Sequence, residues 1–220
     1  MSAYLLRRLL VLPLVLWAVS FLVFVLMRAV PGDPATAIAG EKAPAEIRER
    51  VRRERGFDRP ILVQYGVYLG RLLRGDLGES FKHSSEKVRD QIARKLPHTL
   101  ELALAALGVA VVGGLALGLL SAVYKGSWID YASMTVALAG VSIPVFWLGL
   151  LLILAFSSVL PVSGNLDPVY VPVDRTGFLL IDTLLAGDGA MFRDALAHLL
   201  LPALALGTIP LATIARITRA

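Results

Sequence analysis

Residues 134–156 form an uncharged stretch that restricts the fold more than any other part of the chain. Its sequence, MTVALAGVSIPVFWLGLLLILAF, can cross a bilayer, which takes about 20 apolar residues. Pro144 interrupts the stretch and frees the carbonyl of Gly140, which Ser142 is placed to satisfy. Broken backbone inside a bilayer is tolerated only against protein or a water-filled cavity. Gly140, Ser142 and Pro144 are therefore candidates for the lining of a path, and a simple packing kink is the alternative.

Three further stretches have the length and apolar character of membrane spans. They cover residues 9–27 and 195–215, which carry no charge, and residues 100–123, whose one charged residue is Glu101 near the end. The chain is 56% apolar and has a mean hydropathy of +0.70, whereas soluble domains are about 45–50% apolar. We predict an all-α integral membrane protein with little or no β-structure; residues 168–173 are the one candidate for a short extended piece.

Charged residues concentrate between the first and second spans. Residues 28–97 hold fifteen Lys and Arg and ten Asp and Glu, which accounts for the whole net charge of +5. Mixed signs on this scale indicate a folded polar segment, and not a tail that binds nucleic acid. We predict a membrane helix in residues 1–30 and a mostly helical extracytoplasmic cap in 31–97, with helices at 45–55, 60–73 and 85–96. Residues 98–220 are predicted to form the core, with an outer segment at 157–194.

A row of small residues follows one face of the second span and predicts a helix-packing surface. Small side chains four positions apart let another helix approach closely, and here they are Ala106, Ala110, Gly114, Gly118 and Ala122. Alanine is common in any span, so the two glycines carry most of this prediction. Pro97 is expected to begin the helix. Glu101 is expected to reach water at the end of the span, with a role in a pathway as the alternative.

Several kinds of chemistry are missing from the sequence. It has no cysteine, no phosphate-binding GxxxxGK[ST] loop and no HExxH metal motif. The histidines are scattered; His98 and His198 are expected at span ends, where an interfacial position explains them and a metal site is the alternative. The span centres carry no Asp, Glu, Lys or Arg, which proton- or ion-coupled carriers usually need. We therefore predict a non-enzymatic, channel-like subunit without a cofactor of its own, driven from elsewhere.

Several motifs occur in one order along nearly the whole chain, and together they resemble a known family. Each motif is weak by itself, and the series comprises Arg7–Leu10 before a span, Pro31–Pro34, Asp58–Pro60 with Gln64-Tyr65, Gly75–Ser80, Leu96–Leu102, Ser142–Gly149, and His198–Pro202 running on to Ala215–Ala220. The chain resembles the membrane-spanning permease of peptide/nickel-class ABC importers, the first of the two paired permeases. The resemblance implies the helical bundle of a type I importer.

The resemblance also implies partners and an orientation. It implies a bacterial or archaeal inner-membrane protein with a cytoplasmic N-terminus, whereas the basic pair Arg7-Arg8 alone supports that orientation only weakly. A second permease would complete a heterodimeric pathway in the lipid bilayer, and a binding protein would deliver di- or oligopeptides to the outer face. Two cytoplasmic ATPase subunits would hold ATP and Mg²⁺; no nucleic-acid partner is implied.

The end of the sequence departs from the family pattern. Arg216, Thr218 and Arg219 match the start of the segment that leads to the ATPase-coupling EAA loop, which normally continues into two more spans. The chain is therefore expected to be truncated before that loop; simple positive-inside anchoring is the alternative explanation for the two arginines. The sequence leaves the cargo open between peptides, nickel, glutathione and another small solute. An alternative function of a different class is that of a membrane scaffold that does not transport a solute.

Overall fold

The computed structural model describes residues 2–29, 32–40, 42–80, 86–171 and 174–220. Within these ranges the chain is helical and has no strands, with one isolated β-bridge between Glu79 and Lys87. The predicted all-α membrane fold is confirmed. The helices are α1 Ser2–Ala29, α2 Pro34–Ala39, α3 Ala45–Glu54, α4 Ile61–Leu73, α5 Val88–Val123, α6 Trp128–Ser142, α7 Val145–Phe156, α8 Leu179–Leu185 and α9 Gly189–Arg219.

Among the described residues, three helices are long and apolar enough to span a membrane: residues 6–29 of α1, α5, and α9. The pair α6 and α7 also passes this test when the two helices are taken together, and their axes are bent by 112° at the break between them. The chain is thus a multi-pass membrane protein, and its described part holds three helices that can span a bilayer, or four spans if the bent pair is counted as one.

The chain divides into two compact units, Met1–Ile92 and Ala93–Ala220. In the first unit, α4 packs against the last turns of α1 through aromatic rings, with the centroid of Tyr65 lying 5.0 Å from that of Phe21 and 5.4 Å from that of Phe24. The hydroxyls of Ser20 and Tyr65 are 2.8 Å apart. This pairing fixes the amphipathic helix predicted at 60–73 against the first membrane helix.

A short helix that the sequence reading did not anticipate follows the first span. Pro31 lies outside the described residues, but α2 begins at Pro34, where the missing N–H costs no hydrogen bond. The carboxylate of Asp33 caps the helix by accepting from the N–H of Ala35 (3.2 Å) and also binds Arg52 (2.9 Å). Pro34 therefore starts a helix.

Pro97 corrects a predicted boundary. The predicted helix at 85–96 and the second span at 100–123 form one continuous helix, α5, with Pro97 inside it; Ser85 lies outside the described residues. A helical proline removes one backbone hydrogen bond but does not by itself end the helix. The hydroxyl of Thr99, two residues after the proline, donates to the carbonyl of Lys95 (3.2 Å) within the same helix.

The break at Pro144 is sharper than a packing kink. Ile143 adopts an extended conformation (φ −91°, ψ 128°) and ends α6, and α7 begins after Pro144. The expected hydrogen bond from Ser142 to the carbonyl of Gly140 is wrong, because the Ser142 hydroxyl donates to the carbonyl of Leu138 (3.1 Å). The break therefore separates two helices instead of bending one.

The outer segment is built from turns and the short helix α8. Residues 168–171 are turn and bend, so the extended piece considered there is not seen in them; residues 172 and 173 lie outside the described part. α8 forms from the apolar patch at 178–185, and its Leu179 is buried against the rest of the second unit.

Candidate functional site

Along the row of small residues, helix α9 lies so close to α5 that its atoms nearly touch the backbone of α5. Ala106, Ala110, Gly114 and Gly118 are buried, and Ala122 is half-buried. A Cβ placed on Gly114 would lie 2.8 Å from Cβ of Ile214, and one on Gly118 would lie 2.6 Å from Cβ of Thr218. From the other side, a Cβ on Gly207 would lie 2.7 Å from the carbonyl oxygen of Ala106. Each of these glycines therefore lacks room for a side chain, because atoms of the other helix already occupy that space.

The three candidate path residues lie in different surroundings. Gly140 is half-buried against α9, and a Cβ on it would lie 2.7 Å from Cβ of Thr208. Ser142 and Pro144 are exposed on the surface of this chain, next to the exposed ring of Phe146. The structure therefore places Gly140 in a helix contact and leaves Ser142 and Pro144 on an open face.

A buried carboxylate joins the ends of three helices. Asp130, in the first turn of α6, accepts two hydrogen bonds from Arg219 of α9, with Nε–Oδ1 at 2.7 Å and Nη2–Oδ2 at 2.8 Å. The hydroxyl of Ser121, on α5, donates to the same carboxylate, and the N–H of Gly126 donates at 2.9 Å. A bidentate guanidinium–carboxylate pair fixes both groups in direction as well as distance.

The predicted coupling residues separate in this arrangement. Arg219 binds Asp130, Thr218 contacts Gly118, and Arg216 is exposed. Sequence reasoning missed Asp130 as a candidate site residue. One local signal was available: Ser127 caps α6 three residues before Asp130, which marks this carboxylate as part of an ordered helix start.

Glu101 is buried, which corrects the expectation that it reaches water. Its Oε1 accepts a hydrogen bond from the N–H of Leu180 at 2.7 Å, and its Oε2 lies 3.8 Å from Nδ1 of the half-exposed His98. The free N–H groups at the start of a helix need such acceptors. Glu101 thus supplies from α5 an acceptor that α8 lacks locally, because Phe178 makes no side-chain cap.

Asp182 orders the turn before α8. Burial acts to raise the pKa of its carboxyl, but the hydroxyl and N–H of Thr176, together with the N–H groups of Arg175 and Gly177, outweigh this and hold the pKa below its usual value. The Thr176 hydroxyl donates at 2.7 Å. Asp182 therefore orders the outer segment from within, whereas Glu101 of α5 joins this segment to the bundle.

The histidines lie apart from one another. Nδ1 of the buried His198 is 2.9 Å from the carbonyl oxygen of Asp194 and 3.4 Å from its Oδ2. His83 lies outside the described residues. Among the described side chains, no group of three or more His, Asp or Glu is arranged to hold a metal ion.

Comparison with known proteins places this geometry in a family. Residues 1–103 match the N-terminal domain of binding-protein-dependent transport system membrane components, and residues 114–220 match the binding-protein-dependent transport system inner membrane component. The chain belongs to this family of transport-system membrane components. Over its whole length it is 45% identical to the di/tripeptide transport system permease protein DppB of Pseudomonas aeruginosa, of which it covers 66%.

Two further relatives show the range of cargo in the family. The chain is 41% identical to the probable D,D-dipeptide transport system permease protein DdpB of Escherichia coli K12, with 93% of the chain and 61% of the relative covered. It is 39% identical to the glutathione transport system permease protein GsiC of Escherichia coli O6:H1, with 100% and 63% covered. The chain thus spans somewhat under two thirds of the length of these relatives.

Proposed function

We propose that this chain forms the membrane-spanning permease of an ATP-binding-cassette importer for di- or oligopeptides. The observation that carries the proposal is identity of 45% over the entire chain to a di/tripeptide permease, without a region of the chain left unmatched. The uncharged span centres support it, since they offer no groups for a coupled ion.

The proposal includes partners that supply what this chain lacks. A second permease completes the pathway, and an extracytoplasmic binding protein delivers the peptide. Two cytoplasmic ATPase subunits hold ATP and Mg²⁺, which is supported by the absence of a phosphate-binding loop from the sequence. In this arrangement the N-terminus is cytoplasmic and the cap at 31–97 lies on the outer side.

The open face around the break between α6 and α7 is the proposed contribution to the path. Backbone that is not helical persists inside a bilayer only where protein or water covers it. Ser142 and Pro144 are exposed within this chain, so we assign their cover to the second permease or to water in the path. Gly140 is assigned a supporting role, holding α6 against Thr208 of α9.

The end of α9 is proposed to lead toward the ATPase. Arg219, fixed on Asp130, would hold the direction of the helix as it leaves the bilayer, and the exposed Arg216 would face the cytoplasm. Thr218 packs on Gly118 and so belongs to the support of this segment.

Glutathione is a second candidate cargo, favoured by 39% identity over the whole chain to a glutathione permease. To distinguish peptide import from glutathione import, the full-length gene product is reconstituted with its paired permease, ATPases and binding protein in proteoliposomes. We expect di- or tripeptides to stimulate ATP hydrolysis and to accumulate inside the vesicles. Stimulation by glutathione alone would transfer the assignment to that cargo, and no stimulation by either would refute an importer of this class.

Measuring whether water reaches the break between α6 and α7 distinguishes a subunit that lines a translocation path from a membrane scaffold. The sequence has no cysteine, so single cysteines can be introduced without background. Within the assembled complex, Ser142→Cys is expected to react with a water-soluble maleimide, whereas the buried Ala137→Cys serves as the protected control. Equal protection at both positions would favour a scaffold without a path.

A further inference from the structure

The first unit contains a cavity of about 780 Å³ that none of the arguments above uses. Its walls come from the end of α1, the end of α3, α4, the loop at 74–80 and the start of α5. Phe24, Phe57 and Tyr68 give it aromatic walls. The guanidinium of Arg28 lies over two of these rings, with Cζ 4.9 Å from the centroid of Phe24 and 5.1 Å from that of Phe57.

Positive charge dominates the lining of this cavity. Among the described residues, seven cationic side chains and three carboxylates face it. All three carboxylates are engaged: Glu79 binds Arg55 at 2.7 Å, Glu54 binds Arg50 at 3.4 Å, and Asp76 accepts from the N–H of Gly78. In the described part of the chain, no carboxylate pairs with five of the cations, which are Arg59, Arg71, Arg74, Lys87 and Arg89.

A neighbouring cavity shows that this imbalance is local. That cavity, of about 480 Å³, is lined by three arginines and by three carboxylates, Asp33, Glu49 and Asp58. Arg52 stands there between Asp33 at 2.9 Å and Glu49 at 3.8 Å. The smaller cavity thus has as many carboxylates as arginines, whereas the larger one, which shares Arg28 and Arg59 with it, has an excess of exposed cations that an anion can bind.

The position of the larger cavity indicates where such an anion comes from. Phe24 and Arg28 belong to the last turns of the membrane span at residues 6–29, so the cavity opens where the chain leaves the bilayer. The helices that wall it also expose apolar side chains, with Leu26 and Met27 on α1 and Val63 on α4. A charged cavity next to exposed apolar surface at this level has the two features that a phospholipid needs, one for the headgroup and one for the acyl chains.

We propose that this cavity binds the phosphate headgroup of an anionic membrane lipid such as phosphatidylglycerol or cardiolipin. Guanidinium groups match phosphate oxygens in pairs, and basic pockets beside spanning helices are suited to such headgroups. The acyl chains lie along α1 and α4. This site does not depend on the proposed transport function, and lipid binding and peptide transport can each fail without the other.

The test measures lipid binding by the full-length protein in nanodiscs of phosphatidylcholine with phosphatidylglycerol, by native mass spectrometry and by fluorescent-lipid titration. The variant Arg71→Gln/Arg74→Gln removes two unpaired cations of the cavity. We expect it to weaken phosphatidylglycerol binding on the order of 30-fold, because each basic residue near the surface contributes about fivefold. The matched control Lys42→Gln/Arg53→Gln removes the same charge from the same unit outside both cavities and should leave binding within about twofold.

A second pair of substitutions keeps the proposal testable if the first impairs folding. Lys87→Gln/Arg89→Gln removes two other cations of the lining and carries the same expectation. Unchanged phosphatidylglycerol binding in folded cavity variants would overturn the proposal. Full competition by sn-glycerol 3-phosphate at equal affinity would identify a free phosphate ligand and reject the lipid. Loss of binding-protein docking with intact lipid binding would make the cavity a protein contact and likewise reject it.

Discussion

Adding a single methyl group at Gly114 tests the close contact between α5 and α9. In Gly114→Ala the new Cβ would lie 2.8 Å from Cβ of Ile214 and 2.9 Å from the carbonyl oxygen of Leu211. Carbon atoms pack at about 3.5–4.0 Å, so the helices must separate by roughly 0.7 Å or more. A backbone atom cannot rotate away, and overpacking of this kind costs about 1–3 kcal/mol.

Two other glycines of α5 provide matched controls. A Cβ on the exposed Gly108 meets nothing within 4 Å, so Gly108→Ala gains only helix propensity, about 0.5–1 kcal/mol. A Cβ on Gly113 would meet Cδ1 of Leu211 at 2.7 Å, but this atom is the end of a flexible side chain that can rotate. We therefore expect stability to fall in the order Gly108→Ala, Gly113→Ala, Gly114→Ala.

The assay is thermal unfolding of the purified full-length protein, followed by tryptophan fluorescence. A cost of 1–3 kcal/mol corresponds to an apparent midpoint roughly 2–12 °C lower for Gly114→Ala than for Gly108→Ala. Equal midpoints for these two variants would refute the reasoning, because they would mean that α9 does not lie close enough to the backbone of α5 at Gly114 to exclude a methyl group.

Three further predictions concern the carboxylates. Arg219→Ala leaves the Asp130 carboxylate without its bidentate partner and should lower the midpoint, and the double variant with Asp130→Asn should recover part of it; additive losses would show that the pair is not coupled. The pKa of Asp182 is held low, so its contribution to stability is complete above about pH 4 and is lost as pH falls through the lower folded pKa; the protection factors of the amides at 175–177, corrected for the intrinsic exchange rate, should fall only on acidification. Glu101→Ala should accelerate exchange of the Leu180 amide while Glu101→Gln, which keeps an acceptor, should retain most of its protection.

The spans were predictable because hydropathy is a local property. Twenty uncharged apolar residues have few alternatives to crossing a bilayer, and α1, α5 and α9 contain the stretches predicted at 9–27, 100–123 and 195–215. Helix ends were less predictable. The sequence rule that proline begins a helix applies to Pro34 and not to Pro97, because hydrogen bonds on both sides of Pro97 continue α5.

The partners of charged residues were not predictable, because they come from distant parts of the sequence. Glu101 was expected in water, but its carboxylate accepts a hydrogen bond from the N–H of Leu180, which lies 79 positions later. Asp130 gave little local signal, since its guanidinium partner follows 89 positions later. The stripe that includes Gly114 indicated a face that admits another helix, yet spacing alone does not say which helix covers it.

The contact between Gly118 and Thr218 joins positions one hundred residues apart, and this has a consequence for biogenesis. At typical elongation rates of 5–20 residues per second, α5 waits about 5–20 s in the membrane before the ribosome has made the helix that covers its glycines. During that interval the face of α5 that carries the small residues is uncovered, and any other helix with small residues on its surface can pack against it. Faithful assembly therefore depends on how the insertion machinery shelters a half-made bundle, and slowing synthesis after α5 should raise the fraction of misassembled chains.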